Sequence, residues 1–123
     1  MQPRAGGICF SIVYTIAPKV RVRLLDADGR EIIRSPTFIN ETVAFAYLNL
    51  VREIARSSDV KRIPGVRGTH RFQCIPHGSA PALTSVAFDA IDELNAAISL
   101  FREQAAEAPV YFDHNVAGMA IDD

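Results

Sequence analysis

The 123-residue sequence contains little of what defines several protein classes. It has two cysteines, no tryptophan and a formal net charge of −1. Two cysteines are too few for the disulfide framework of a small secreted domain, so we expect a reducing, cytoplasmic location. The longest apolar stretch, from Ile8 to Ala17, is interrupted by Ser11 and Thr15 and is shorter than the roughly 20 residues of a membrane span. The sequence therefore predicts no membrane segment, and we interpret this stretch as a strand.

The remaining composition is typical of one globular domain. Apolar residues make up 49% of the chain and charged residues 22%, a balance that excludes a disordered protein. Seven Gly and seven Pro exclude low-complexity and collagen-like chains. We therefore predict a single domain spanning 1–123 whose core needs neither a disulfide nor a metal ion.

Charge is distributed unevenly along the chain. Residues 1–71 hold twelve of the thirteen Lys and Arg against six acids, a balance of +6, whereas residues 72–123 hold Arg102 alone against eight acids, a balance of −7. Such a polarised chain can attract an acidic partner with one half, or pair its halves with each other or with a second copy.

An internal repeat appears when the sequence is shifted by fifty residues, which aligns 21–55 with 71–105. Chance would give about two identities over this length. Eight occur: Arg21/Arg71, Ser35/Ser85, Phe38/Phe88, Ala46/Ala96, Leu50/Leu100, Arg52/Arg102, Glu53/Glu103 and Ala55/Ala105. The alignment predicts two degenerate β-β-(β)-α units, although any two strand–strand–helix units would share part of this pattern.

Hydrophobic periodicity locates the elements of each unit. The first unit (about 8–57) is predicted to hold strands at Ile8–Tyr14, Lys19–Leu24 and Glu31–Arg34, ending before Ser35-Pro36, and a helix at Glu41–Ser57 capped by Asn40. A linker (about 58–68) containing the Pro64-Gly65 turn leads to the second unit (about 69–107). That unit is predicted to hold strands at His70–Ile75 and Ala82–Ala87 and a helix at Ala90–Glu107 capped by Asp89, before a C-terminal extension (108–123) with a short strand at Val110–Phe112. This order predicts an α+β fold: a mainly antiparallel sheet with both helices on one face, its two units related by a pseudo-twofold axis.

The first unit resembles the YegP-like family of small domains. The resemblance rests on the pattern Asp28-Gly29-x-x-Ile32-x-x-Ser35-x-x-Phe38, followed by Leu48, Val51 and Arg52 in the helix. In the second unit it persists as Ser85-x-x-Phe88, Ile98, Phe101 and Arg102. The family often carries two such units in tandem and is of unknown function. The resemblance therefore implies a fold and supplies no catalytic residues.

The side chains that could carry out chemistry do not form a recognisable site. Cys74 and His77 have a ligand-like spacing, with His70 and Asp113-His114 as further candidates, but zinc requires three or four converging ligands. Cys74 is more simply a buried apolar residue. The sequence has no nucleophile elbow, P-loop or Gly-x-Gly-x-x-Gly motif. We accordingly assign no catalytic residue, metal ion or cofactor; an enzyme would need a pocket that joins His70, His77 and Cys74.

A row of cations provides the candidate binding site. Lys19, Arg21 and Arg23 alternate with apolar residues and so line one sheet face. Arg30 and Arg34 are expected on the neighbouring strand, while stacking aromatics are expected to be absent from this face. We interpret the protein as a non-catalytic module for self-association or for binding a protein partner. The alternative is weak nucleic-acid binding through these five cations, although a solvated charged face would show the same alternation.

Overall fold

A computed structural model describes residues 7–16, 19–57, 59–75 and 83–113. Its regular elements follow one another in the order β1 (Cys9–Tyr14), β2 (Val20–Leu25), β3 (Glu31–Phe38), α1 (Glu41–Ser57), β4 (Asp59–Pro64), β5 (His70–Ile75), β6 (Leu83–Thr84), α2 (Ile91–Gln104) and β7 (Val110–Asp113). Short 3₁₀ turns lie at Val66–Gly68 and Ala105–Glu107. In the described part of the chain, no helix is long and apolar enough to cross a membrane.

The strands form two sheets. The first sheet has the order β3-β2-β1-β7, and the second has the order β4-β5-β6. Every pairing is antiparallel except that of β1 with β7, which is parallel. The backbone N–H of Val86 donates to the carbonyl of Ile32 at 3.0 Å, which ties the segment after β6 to β3. The predicted α+β class with mainly antiparallel pairing is confirmed, although the strands form two sheets instead of one.

Both helices pack on the apolar sides of the sheets. The alternation in β2 buries Val20, Val22 and Leu24, and α1 buries Ala44, Leu48, Val51 and Ile54 against this side of the first sheet. On the second sheet, the ring of Phe72 in β5 lies 5.4 Å from that of Phe101 in α2. One continuous core joins the two sheets and the two helices. On the opposite side, β2 and β5 carry arginines and a glutamine, while Ser11 and Val13 of β1 are buried there as well.

The third strand differs from its prediction because it continues through Ser35-Pro36 to Phe38. A register shift between Arg21 and Arg23 gives β3 one extra residue there, a β-bulge. Proline is compatible with this position because β3 is the edge strand of its sheet. The Ser35 hydroxyl replaces the lost ladder contact: its Oγ accepts from the Val22 N–H at 2.9 Å and donates to the Pro36 carbonyl at 2.6 Å.

The same arrangement recurs fifty residues later. The Oγ of Ser85 accepts from the Phe72 N–H at 3.0 Å and donates to the Val86 carbonyl at 2.7 Å. Both serines are 3% exposed. The matching hydrogen bonds agree with the alignment of the two units at this point, while the pseudo-twofold axis and the unit boundaries stay predictions.

The segment predicted as a linker contains a strand that was not expected: residues 59–64 form β4 and extend the second sheet. Its bounds equal those of β1 shifted by fifty residues, the same shift that aligns 21–55 with 71–105. Among the predicted caps, Asn40 is confirmed, since its Oδ1 accepts from the Val43 N–H at 3.1 Å. The Asp89 cap is wrong: Ala90 occupies the cap of α2 and no side chain bonds there. The predicted strand at Val110–Phe112 is confirmed as β7.

Candidate functional site

The sides of the two sheets that face away from the helices form what we call the outer face. In the first sheet, the strand register places Arg21 and Arg23 on this side, since Val20, Val22 and Leu24 point into the core. In the second sheet, Phe72 and Cys74 point into the core, so Arg71 and Gln73 lie on the outer face beside Lys61. The outer face therefore carries cations from both sheets.

Glu31 neutralises part of this charge. Its Oε1 lies 2.8 Å from a terminal nitrogen of Arg34, and its Oε2 lies 3.3 Å from Nη1 of Arg23. The side chain of Glu31 is only 17% exposed, so this bridge is less screened by solvent than an ordinary surface pair. One carboxylate thus holds two of the predicted binding arginines, which constrains their orientation.

The remaining predicted residues lie in different surroundings. Arg21 donates from Nη2 to the Thr37 hydroxyl at 3.3 Å, while Lys19 is exposed just before β2. Arg30, in the turn between β2 and β3, lies 3.5 Å from Glu93 of α2. Arg30 is therefore directed toward the helices. It does not group with the other four predicted cations.

Among the residues that the structure describes, Tyr111 is an aromatic residue on the outer face, contrary to the expectation that there would be none. Tyr111 of β7 is in register with Ser11 of β1, which is in turn in register with Arg23 of β2. Residues in register share one side of a sheet, so Tyr111 and Arg23 flank Ser11. The sequence did not reveal this because it gave no indication that β7 pairs with β1.

The sulfur and imidazole candidates do not converge. Cys9 and Cys74 are both fully buried, and Cys74 belongs to the core as predicted. His70 lies at the start of β5, while His77 and His114 fall outside the described residues. Within the described ranges, no group of three His, Cys, Asp or Glu side chains could hold a metal ion.

An open cleft of about 400 Å³ lies where the outer faces of the two sheets meet. It is lined by Glu31 and Arg34 of β3, Arg71 of β5, and Thr84, Ser85, Val86 and Ala87 at and after β6. Sequence reasoning assigned Arg34 to a binding site but missed Arg71 and Thr84. The available signal was the fifty-residue alignment, which pairs Arg71 with Arg21.

No family model matches the chain, and no curated protein sequence is significantly similar to it. Two solved structures, both determined by solution NMR, share its fold. One is the protein of unknown function yegP from E. coli, with 14% sequence identity and a TM-score of 0.69, covering 88% of this chain and 94% of that one.

The other is a UPF0339 protein from Shewanella oneidensis, with 9% identity and a TM-score of 0.70, covering 86% of this chain and 91% of that one. At such low identity these similarities establish the fold alone. The YegP-like fold expected from the turn, serine and helix pattern is confirmed.

Proposed function

We propose that the protein is a non-catalytic interaction module of the cytoplasm that associates with itself head to tail. The observation that carries the proposal is the separation of charge between two opposite surfaces. The outer face holds Lys19, Lys61 and Arg71 together with the arginines of β2 and β3. Helix α2, on the other side of the sheets, exposes Asp92 and Glu103, and Asp89 and Glu107 are exposed at its two ends.

This separation supports a contact in which α2 of one copy lies on the outer face of another. Such a contact is heterologous, because it joins two different surfaces of the same chain, and it leads to rings or open chains rather than a twofold dimer. Exposed charge pairs contribute only about 0–1 kcal/mol each, so several must act together and the association is weak.

Sedimentation velocity at 20 mM and 500 mM NaCl tests the proposal. We expect oligomers at low salt that dissociate at high salt, because the Debye length falls from roughly 20 Å to about 4 Å over this range. Glu103→Lys should weaken association at low salt. Asp28→Lys, which makes the same charge change in the exposed β2–β3 turn, is the matched control and should leave association unchanged. A monomer at both salt concentrations would refute the proposal.

Nucleic-acid binding is the alternative, and the position of Tyr111 favours it. An aromatic ring on the same side as a row of arginines is the combination that stacks bases while cations follow the phosphates. The triple variant Lys19→Glu, Arg21→Glu, Arg23→Glu should abolish binding to a fluorescein-labelled single-stranded RNA in an anisotropy assay. Circular dichroism would verify that the variant folds. Equal binding by the triple variant and the parent protein would eliminate this alternative.

A further inference from the structure

The cleft between the sheets combines positive charge with an arginine that has no partner. No hydrogen bond or ion pair joins the side chain of Arg71 to a described residue, and its Nε is buried without an acceptor. The Nε atoms of Arg21, Arg23 and Arg52 are buried in the same way, but each of those side chains bonds elsewhere through a terminal nitrogen. A buried guanidinium nitrogen without a partner costs free energy, because it has lost water and gained nothing in exchange. An acceptor that enters the cleft would remove that cost.

The first unit shows what Arg71 lacks. Arg21, its counterpart fifty residues earlier, donates to the hydroxyl of Thr37. The residue fifty positions after Thr37 is Ala87, which has no side-chain acceptor and lines the cleft. The second unit thus keeps the arginine and has no hydroxyl to receive its hydrogen bond.

The second unit also lacks a counterpart of the carboxylate that neutralises the arginines of the first unit. Glu31, which holds Arg23 and Arg34, corresponds to Pro81 in the alignment. Arg23 corresponds to Gln73, which donates to the Thr84 hydroxyl at 3.3 Å. The only carboxylate lining the described cleft, Glu31, is already bound by two arginines. The cleft thus holds Arg34, which Glu31 binds, and Arg71, which no carboxylate of the described lining binds.

We propose that this cleft binds the phosphate group of a small phosphorylated molecule, with Arg71 and Arg34 as the charged contacts and the Thr84 hydroxyl as a further one. Guanidinium groups match the oxygens of a phosphate in a forked geometry. The volume of about 400 Å³ lies within the range of small-molecule sites. The proposal is independent of self-association, since it concerns groups within one copy of the chain.

Titration with inorganic phosphate, followed by ¹H–¹⁵N NMR at constant ionic strength, tests the site. We expect saturable shifts of the Arg71 Nε–H signal and of the Thr84 backbone amide. Arg71→Gln should weaken the phosphate response of Thr84 by about tenfold or more, the loss expected for one charge-assisted hydrogen bond. Lys61→Gln is the matched control, because it removes one cation from the same face outside the cleft, and it should change the affinity less than twofold.

A second variant tests the site without removing an arginine. It keeps the test valid even if Arg71→Gln fails to fold. Ala87 is exposed, so Ala87→Glu should fold, place a carboxylate beside Arg71 and abolish the phosphate response. Equal losses in Arg71→Gln and Lys61→Gln would overturn the site in favour of diffuse attraction. Unchanged binding by Ala87→Glu would also overturn it, and shifts of equal size with acetate would overturn its assignment to phosphate.

Discussion

The twin serine bulges lead to the sharpest prediction for stability. Ser35→Ala and Ser85→Ala each remove one buried hydroxyl and change nothing else in the side chain. In the first unit, the strand register gives Val22 no partner on β3, so the Val22 N–H depends on Ser35. In the second unit, the Phe72 N–H depends on Ser85 in the same way. We expect the two variants to destabilise the protein to a similar extent.

The magnitude follows from the buried N–H that loses its acceptor. A buried donor left unsatisfied costs about 1–3 kcal/mol, whereas the loss of a typical bonded pair costs about 1 kcal/mol. Because both serines are 3% exposed, water cannot readily replace the hydroxyl. We therefore expect each variant to lose about 2 kcal/mol of unfolding free energy. With a urea dependence of about 2 kcal/mol per molar, the unfolding midpoint should fall by roughly 1 M.

Urea unfolding monitored by circular dichroism measures these losses. Ser99→Ala, at an exposed position of α2, is the matched control and should stabilise slightly or change nothing, because alanine is the better helix former. A loss below about 0.5 kcal/mol in both variants would show that neither hydroxyl is structural. A loss in Ser35→Ala alone would refute the equivalence of the two bulges.

Three other substitutions test separate features. Gly29→Ala should lower the unfolding free energy by about 1 kcal/mol from backbone strain alone, since φ is +87° and an added Cβ meets nothing within 4 Å. Gly29→Asn should lower it less. Equal melting temperatures for the parent protein and both variants would contradict this. Burial raises the pKa of Tyr47 from 10.0 to about 12, so stability present below pH 10 should be lost as the pH rises through 12. Chemical denaturation of Tyr47→Phe should show a weaker pH dependence in that window, and an unchanged dependence would refute the assignment. Arg52→Met should lower the unfolding free energy by about 1–3 kcal/mol in urea unfolding. The substitution removes a 2.6 Å hydrogen bond to the Ala108 carbonyl and a cation–π contact with Phe10. An unchanged unfolding free energy would show that neither contact stabilises the protein.

The sequence predicted elements well where apolar periodicity was strong. The alternation of β2 and the apolar stripe of α1 each identified their element closely. The segment Asp59–Pro64 was missed because half of the residues in its sequence, DVKRIP, are charged and it ends in proline. It is an edge strand with mainly exposed residues, so burial leaves little pattern in it. Pro36 was read as a strand end, although a bulge on an edge strand accommodates it.

The candidate site was predicted in part, for a different reason. Alternation places Arg21 and Arg23 on one face, but it does not show which carboxylate from another strand will reach Arg23. Glu31 does so across the β2–β3 pairing. Arg71 and Thr84 lie in the other sheet, and their proximity to Arg34 depends on how the two sheets meet. Such long-range placement is not encoded in local periodicity.

The parallel pairing of β1 with β7 has a consequence for how the chain is made. Phe10 of β1 and Val110 of β7 are partners although they lie a hundred residues apart, so β1 leaves the ribosome well before the strand that pairs with one of its edges. Until that strand is synthesised, the edge of β1 stays open to other chains, a state that favours aggregation. Contacts of such long sequence separation also slow folding. Completion of the first sheet therefore waits for the synthesis of β7, a hundred residues after β1.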